Sequence, residues 1–275
     1  RKNIVKLAFD FGITNTDIVS YLDGKMKFFS HPSEEINEKF LTKLLLHAEI
    51  DLDQLNVIAV TGGKSSDLGD TFNNIPIVKV NEVEAIGYGA KYLYGISESK
   101  YLVVSCGTGT ACVASIDNKF NHLGGISVGG GTLQGLSNLI IGNDNAEKIN
   151  TLAAEGDKDK LDSLIGEVVN DIGSLHPEIT ASNFAKGRYS NDFSEEDISS
   201  SLCNMVGEVI GTVSYLNGLM IDVSKIYFIG RVSLLDSVRS GIDKRLKLVN
   251  ISGQYAKNRE FGNAIGAIAY LNANT

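Results

Sequence analysis

Three cysteines, three prolines and no long apolar run are what this chain of 275 residues is short of. Cys106, Cys112 and Cys203 have neither the spacing of a metal site nor the even count of a disulfide framework, so a reducing, cytoplasmic compartment is expected. Cys106 adjoins a glycine turn, where a small buried filler is favoured over a reactive thiol. Nowhere do about 18 apolar residues follow one another, as a membrane-spanning helix requires. The N-terminus lacks the charged-then-apolar order of a secretion signal, and its opening on Arg1 rather than Met is what a trimmed start would leave. Positive charge is also in deficit: 25 Lys and Arg against 33 Asp and Glu give a net charge of −8. That balance argues against general binding of nucleic acid or anionic membrane, which needs a basic surface to replace phosphate counterions. An anionic ligand therefore has to be gripped locally. Glycine, by contrast, is abundant at 29 residues, in short clusters between apolar segments, the pattern of tight turns rather than linkers. The length suits two domains with a cleft between them.

Along the chain, residues 3–9 read as a short buried strand closed by the turn-prone DFGITNT, and residues 17–29 as a second strand pair around Asp23 and Gly24. A helix is expected from Ser33, as its cap, to about residue 50, with His47 a surface position near its end. Strands follow at 56–61, ending in Gly62 and Gly63, and at 75–80, then a helix from about Asn81. Residues 100–116 repeat the opening grammar of strand, glycine and threonine turn, strand, which suggests two related lobes each offering a hairpin to one ligand. Helices are expected over 146–156, 159–172, 195–220 and 233–247, a strand at 225–230, and a closing small-residue helix within 258–273.

Three turns have the composition of phosphate loops. In DFGIT, Asp10 ends a strand where Gly12 and Thr14 offer donors; a carboxylate beside a phosphate pocket suits Mg²⁺, while an Asx-turn is the plainer reading. In GTGT, Gly107, Thr108 and Gly109 form the matching hairpin. In NHLGGISVGGGTLQGLS, Gly129, Gly130 and Gly131 remove Cβ atoms just before a helix near Thr132, either as an anion cradle or as a flexible turn. None of these is GxxxxGKS/T, and no GxGxxG follows the first strand, which excludes a P-loop or a dinucleotide fingerprint. Glu82 and Glu84 start the helix after the 75–80 strand; two apart, they cannot share a helical face, so at most one points into a cleft as a proton acceptor. The plainer reading is a pair of favourable first-turn acids. His122, before the glycine run, is by itself a structural or surface histidine.

Together, DxGxT, the GTG hairpin, the strand ending near residue 230 and the small-residue C-terminal helix resemble the sugar-kinase, actin and heat-shock-protein ATPase superfamily. Within it the chain resembles the type II pantothenate kinases, through FDFGIT, NEVEA, GTGT, GGISVGGGTLQGLS, DIG, ITASNFAKG, DISSSLCNMVGEVIG and IYFIG. The resemblance implies an α/β, two-lobed actin-like (ribonuclease H-like) fold with a nucleotide cleft, residues 1–81 and 262–275 forming one lobe and 82–261, with dimerisation helices, the other. It implies ATP and Mg²⁺ as cofactors, pantothenate as substrate, coenzyme A or its thioesters as a feedback ligand, and a homodimer. Carried over by position, Glu82 is the catalytic base and Asp10 acts through the metal. Gly12, Thr14, Gly107, Thr108, Gly109, Gly129, Gly130, Gly131 and Gln134 would hold ATP, with Gly230 and Arg231 near the adenosine. Thr108, His122, Gly124 and Gly125 would lie with Glu82 along the substrate.

Several positions depart from the family pattern: Ile13 replaces a glycine, Asp17 a lysine, His122 an arginine and Ile126 a threonine. A histidine lacks arginine's permanent charge and bidentate fork. These departures motivate an alternative, a nucleotide or coenzyme A sensor or a kinase of another small alcohol. A sugar kinase is disfavoured by the lack of a hexokinase-type substrate motif, and an activator ATPase with an iron–sulfur cluster by the placing of Cys106 and Cys112.

Overall fold

The computed structural model describes residues 5–63, 65–170 and 176–274. The chain opens with strands β1 (Val5–Phe11), β2 (Asn15–Leu22) and β3 (Lys25–Pro32), then helix α1 (Glu38–His47) and strands β4 (Leu55–Thr61), β5 (Thr71–Phe72) and β6 (Ile75–Lys79). They form one sheet in the order β3-β2-β1-β4-β6-β5, with β1, β4 and β6 parallel. Alternation decides its two faces. Leu7, Phe9, Ile18, Ile58 and Val60 meet Phe40, Leu41 and Leu44 of α1 on one side, whereas the opposite side carries the small Ala8 and Ala59 beside Val19. Helix α1 begins later than Ser33. Asn37 caps it, its side-chain oxygen accepting from the Phe40 amide at 3.0 Å, because Ser33 is engaged elsewhere: its hydroxyl donates to the Gly12 carbonyl at 2.6 Å.

Helix α2 (Glu82–Tyr94) leads to strands β7 (Tyr101–Cys106), β8 (Thr110–Ile116) and β9 (Lys119–Ile126) and helices α3 (Gly130–Ile141) and α4 (Ala146–Glu155). A small arm follows, made of β10 (Ser163–Leu164), the single turn α5 (Ile165–Val168) and β11 (Thr180–Ser182). The chain ends with α6 (Glu195–Met220), β12 (Lys225–Ile229), α7 (Asp236–Lys247), β13 (Ser252–Gln254) and α8 (Gly262–Ala273). The second sheet runs β13-β12-β7-β8-β9. Its outer face packs Leu102, Val104 and Phe228 on Leu202, Val206 and Ile210 of α6 and Ile242 of α7. Its inner face packs Tyr101, Val103 and Val113 on Ile86 and Ala90 of α2.

Of the helix expected over 159–172, only the single turn α5 forms among the described residues. Asp162 is fully buried, and its carboxylate accepts from Ser201 Oγ, from Asn204 Nδ2 at 3.1 Å and from the Phe184 amide at 2.9 Å. A buried charge must be matched by donors, and here they come from α6 and the chain after β11, which pins the segment in an irregular path. Lys158–Lys160 is a 3₁₀ turn, and Ser163–Leu164 pairs antiparallel with Thr180–Ser182. Residues 171–172, the DIG motif and the first two residues of the expected 3–9 strand lie outside the described residues.

Between the sheets, α2 and α8 cross at near-contact of their backbones. A Cβ on Gly266 would stand 1.7 Å from the Ala85 carbonyl oxygen, and one on Gly89 would stand 2.0 Å from that of Gly262. The small residues of the closing helix are what this approach demands.

Candidate active site

Register builds the first wall. Ser30 of β3 lies opposite Asp17 of β2, Asp17 opposite Asp10 of β1, and Asp10 opposite Thr61 of β4. Paired residues share a face, so these four make a polar row at one end of an otherwise apolar sheet, on the side covered by α8. Asn263, in the first turn of α8, hydrogen-bonds the Asp10 carboxylate. Burial first, then the charges of Asp17 and Glu82, push Asp10 from its ordinary 3.8 up to about 8, against the downward pull of Asn263 and Arg231. Burial also raises Asp17, outweighing the opposite pull of Arg231, whose guanidinium forms an ion pair with it. Three buried oxygens around this row, Thr61 Oγ1, Asn263 Oδ1 and Glu260 Oε2, have no hydrogen-bond partner among the described residues.

The first turn is tight. The Gly12 amide donates to the Asp10 and Asn15 carbonyls, both at 3.1 Å, and Ser33 ties the turn from behind, leaving Gly12, Ile13 and Thr14 exposed. Gly62 follows β4 at φ +79, where a Cβ would stand 2.4 Å from Asp10 Oδ1, so only glycine lets this loop lie against the carboxylate.

The second wall joins the GTG hairpin to the glycine run. The Gly130 amide donates to the Gly107 carbonyl at 2.9 Å, the Gly131 amide to Thr108 at 3.0 Å, and Thr110 Oγ1 to Val128 at 2.8 Å. Two of the three glycine amides expected to face an anion are thus taken by the neighbouring hairpin. The run acts chiefly by close approach: a Cβ on Gly129 would stand 2.7 Å from the Thr108 oxygen. Gln134 Nε2 is held by the Asp144 carbonyl at 2.8 Å. Gly230, at φ +92, lies against Cys106 beside the same hairpin, and Arg231 reaches from there to Asp17 and Ser30 on the first sheet. All three cysteines are fully buried, and burial pushes the Cys112 thiol up to about 11 and Cys203 to about 12.

Glu82 is the first residue of α2, after the cap Asn81, whose side-chain oxygen accepts from the Val83 amide at 2.9 Å. It is exposed, it acts electrostatically on Asp10, and it lines a cavity of about 230 Å³ with Gly62, Gly63, Ser65, Ser66 and Lys79. Glu84 does not line that cavity. His122 is exposed on β9 opposite Val113, on the face whose Phe120 ring occupies the space beside Gly87 of α2. Gly124, at φ +121, sits at a bulge in β9, and a Cβ on Gly125 would stand 2.4 Å from the Thr110 carbonyl oxygen. Ser30, Thr61, Gly62, Lys79, Glu260 and Asn263 belong to this constellation although no sequence motif pointed to them; only the two glycines after β4 stood out, as a strand end.

Two α/β lobes, each contributing a hairpin to a shared polar cleft, define an actin-like ATPase fold. Solved structures agree. The activator of 2-hydroxyisocaproyl-CoA dehydratase from Clostridium difficile, with bound ADPNP, superposes with TM-score 0.69 at 15% identity over 97% of this chain and 94% of its own. A ROK family glucokinase from Streptomyces griseus, with glucose and AMPPNP, gives 0.59 at 14% over 97% and 98%. The sequence narrows the class. The Fumble family signature matches residues 12–236, and a type II pantothenate kinase of Bacillus cereus (strain AH820) is 30% identical over 96% of both chains. The chain belongs to the Fumble family of type II pantothenate kinases. Among the described residues no helix is long and apolar enough to cross a membrane.

Proposed function

We propose that this protein is an ATP-dependent kinase that transfers the γ-phosphoryl group to the primary hydroxyl of pantothenate, giving 4'-phosphopantothenate, the first step of coenzyme A synthesis. The observation that carries this reading is the position of Glu82 in a chain of this family: its carboxylate opens on a cavity and lies within electrostatic reach of Asp10, beside the first phosphate-type turn. The substrate oxygen attacks phosphorus, its proton passes to Glu82, and the bond to the β-phosphate oxygen breaks to release ADP. The Thr108 hairpin and the Gly12 turn flank the transferred group. His122, Gly124 and Gly125 lie along the substrate, with His122 offering hydrogen bonds where an arginine would offer a fork.

Mg²⁺ fits the residues present. It asks for one or two carboxylates and keeps several waters and phosphate oxygens; no cluster of three acids that could hold a metal occurs among the described residues, and Asp10, with the unpartnered oxygens of Thr61 and Asn263 around the same row, offers the one carboxylate such an ion needs. The ion bound at Asp10 would neutralise charge on the phosphates. A homodimer is supported by the exposed Leu216, Leu219 and Met220 on α6.

ADP release measured with pantothenate and a panel of small alcohols tests the assignment. Wild type should turn over pantothenate, and Glu82→Gln should lose roughly 10²-fold or more in kcat with little change in ATP binding. ADP release no faster with pantothenate than with ATP alone would overturn the substrate.

A further inference from the structure

Arg231 crosses the cleft. Its backbone follows Gly230, which is fixed at φ +92 with no room for a Cβ, since one would stand 2.3 Å from the Cys106 carbonyl oxygen. On its other side, a methyl of Val232 lies 3.0 Å from where a Cβ of Gly130 would be. The residue is therefore rooted where the GTG hairpin and the glycine run meet. Its tip lies on the opposite lobe, where Nη2 donates to the Asp17 carboxylate and, at 2.8 Å, to Ser30 Oγ. Asp17 and Ser30 face each other across β2 and β3, so they form one ready-made receptor for that nitrogen. The ring of Phe261 backs the guanidinium at 5.7 Å.

A guanidinium has five N–H donors. Nη2 accounts for two of them here; those on Nε and Nη1 have no partner among the described residues, and the side chain is 38% exposed. One end is thus anchored and the rest remains available. We propose that Arg231 is the phosphate-binding cation of the cleft, and that Asp17 and Ser30 are positioning residues that hold it against the nucleotide. The inference rests on the reading of this cleft as an ATP site. Its chemistry is simple: phosphate oxygens accept charge-assisted hydrogen bonds from Nε and Nη1 while Nη2 stays on Asp17. Asp17, negative in a site for an anion, is thereby tolerated, because its charge is already matched. A lysine has one nitrogen to offer both partners and cannot reproduce the arrangement.

Calorimetric titration with AMPPNP and, separately, with adenosine, both with Mg²⁺ and without pantothenate, tests it. Arg231→Gln should weaken AMPPNP about 10- to 100-fold, the value of a lost charged hydrogen bond or two, and leave adenosine within about twofold. Asp17→Asn should weaken AMPPNP by a smaller factor, and that loss should vanish in the Arg231→Gln background, because Asp17 acts through Arg231. Wild-type AMPPNP affinity in Arg231→Gln, an equal loss for adenosine, or an Asp17→Asn effect that persists without Arg231 overturns the proposal. Should Arg231→Gln fail to fold, Arg231→Lys and Ser30→Ala decide: weakened AMPPNP supports the clamp, and unchanged affinity in both sinks it. Because pantothenate is absent, failure of the substrate assignment leaves this result untouched, and the converse holds.

Discussion

Asp10 has carboxylates on two sides and an amide above it, and its acidity follows from that crowding. With its pKa raised from 3.8 to about 8, the folded protein without ligand keeps a proton between those values that the unfolded chain has released. Native-state proton uptake means that stability falls as pH rises. The contribution is whole below about pH 4, declines through the interval, and is gone above about 8. Asp10→Asn mimics the protonated form. Thermal melts without nucleotide or metal should therefore coincide for variant and wild type only at about pH 4 and below, and wild type should fall progressively behind as pH rises, melting lower by roughly 10 °C at about pH 8.5. Parallel curves across that range would show that Asp10 is not crowded in this way. At this scale the sequence is informative about residues that sit in motifs: Asp10 and Glu82 stand in DFGIT and NEVEA, with turn and helix signals at hand. It is silent about Ser30, Thr61 and Asn263, which join the site through strand register and the docking of a helix more than 250 residues from Asp10. Arg231 shows the limit clearly. The family resemblance implied a place for it near the adenosine, but nothing local indicated that its side chain spans to Asp17.

Elements were legible where periodicity was unopposed. Helix α6 spans the expected 195–220, and the strands around each glycine turn occur where apolar alternation put them. Two expectations failed for one reason, a polar side chain with a more distant partner. Ser33 left its capping role for the Gly12 turn, and Asp162 drew residues 159–164 out of a helix toward donors on α6, leaving only the single turn α5. The same network accounts for part of the TASNFAKG segment: Asn183 Nδ2 lies 3.4 Å from Asp162 and 3.2 Å from Glu208, and Phe184 is held at φ +58 while its amide bonds Asp162. The α2–α8 crossing makes a sharper demand. At Gly266 even one methyl group would lie 1.7 Å from a backbone oxygen, which no rotamer relieves, so the helices must separate. Gly266→Ala should cost roughly 3 kcal/mol in denaturant unfolding, although alanine is the better helix former by about 1 kcal/mol. A neutral or stabilising result would refute the close crossing, as would a variant that keeps both wild-type stability and wild-type ATP affinity.

In the whole molecule, α2 and α8 are shared property. Ala85 of α2 lies in the core formed with α8 and the first sheet, whereas Ile86 and Ala90 of the same helix lie in the core against the second sheet. Helix α8, last in the chain, covers the strands that come first, so neither sheet keeps its inner face buried if the other lobe unfolds. Exposing such a face forfeits apolar burial at roughly 25 cal/mol per Å², too much for a half-folded species to persist. Two lobes with a cleft between them need not then behave as two folding units. Without ligand, calorimetry should show one endotherm whose calorimetric and van't Hoff enthalpies agree. AMPPNP with Mg²⁺ should move that single peak upward as a unit, by an amount that grows with the logarithm of ligand concentration. Two resolved endotherms, with only one responding to the nucleotide, would mean that the lobes are energetically separate and that the α2–α8 crossing does not couple them.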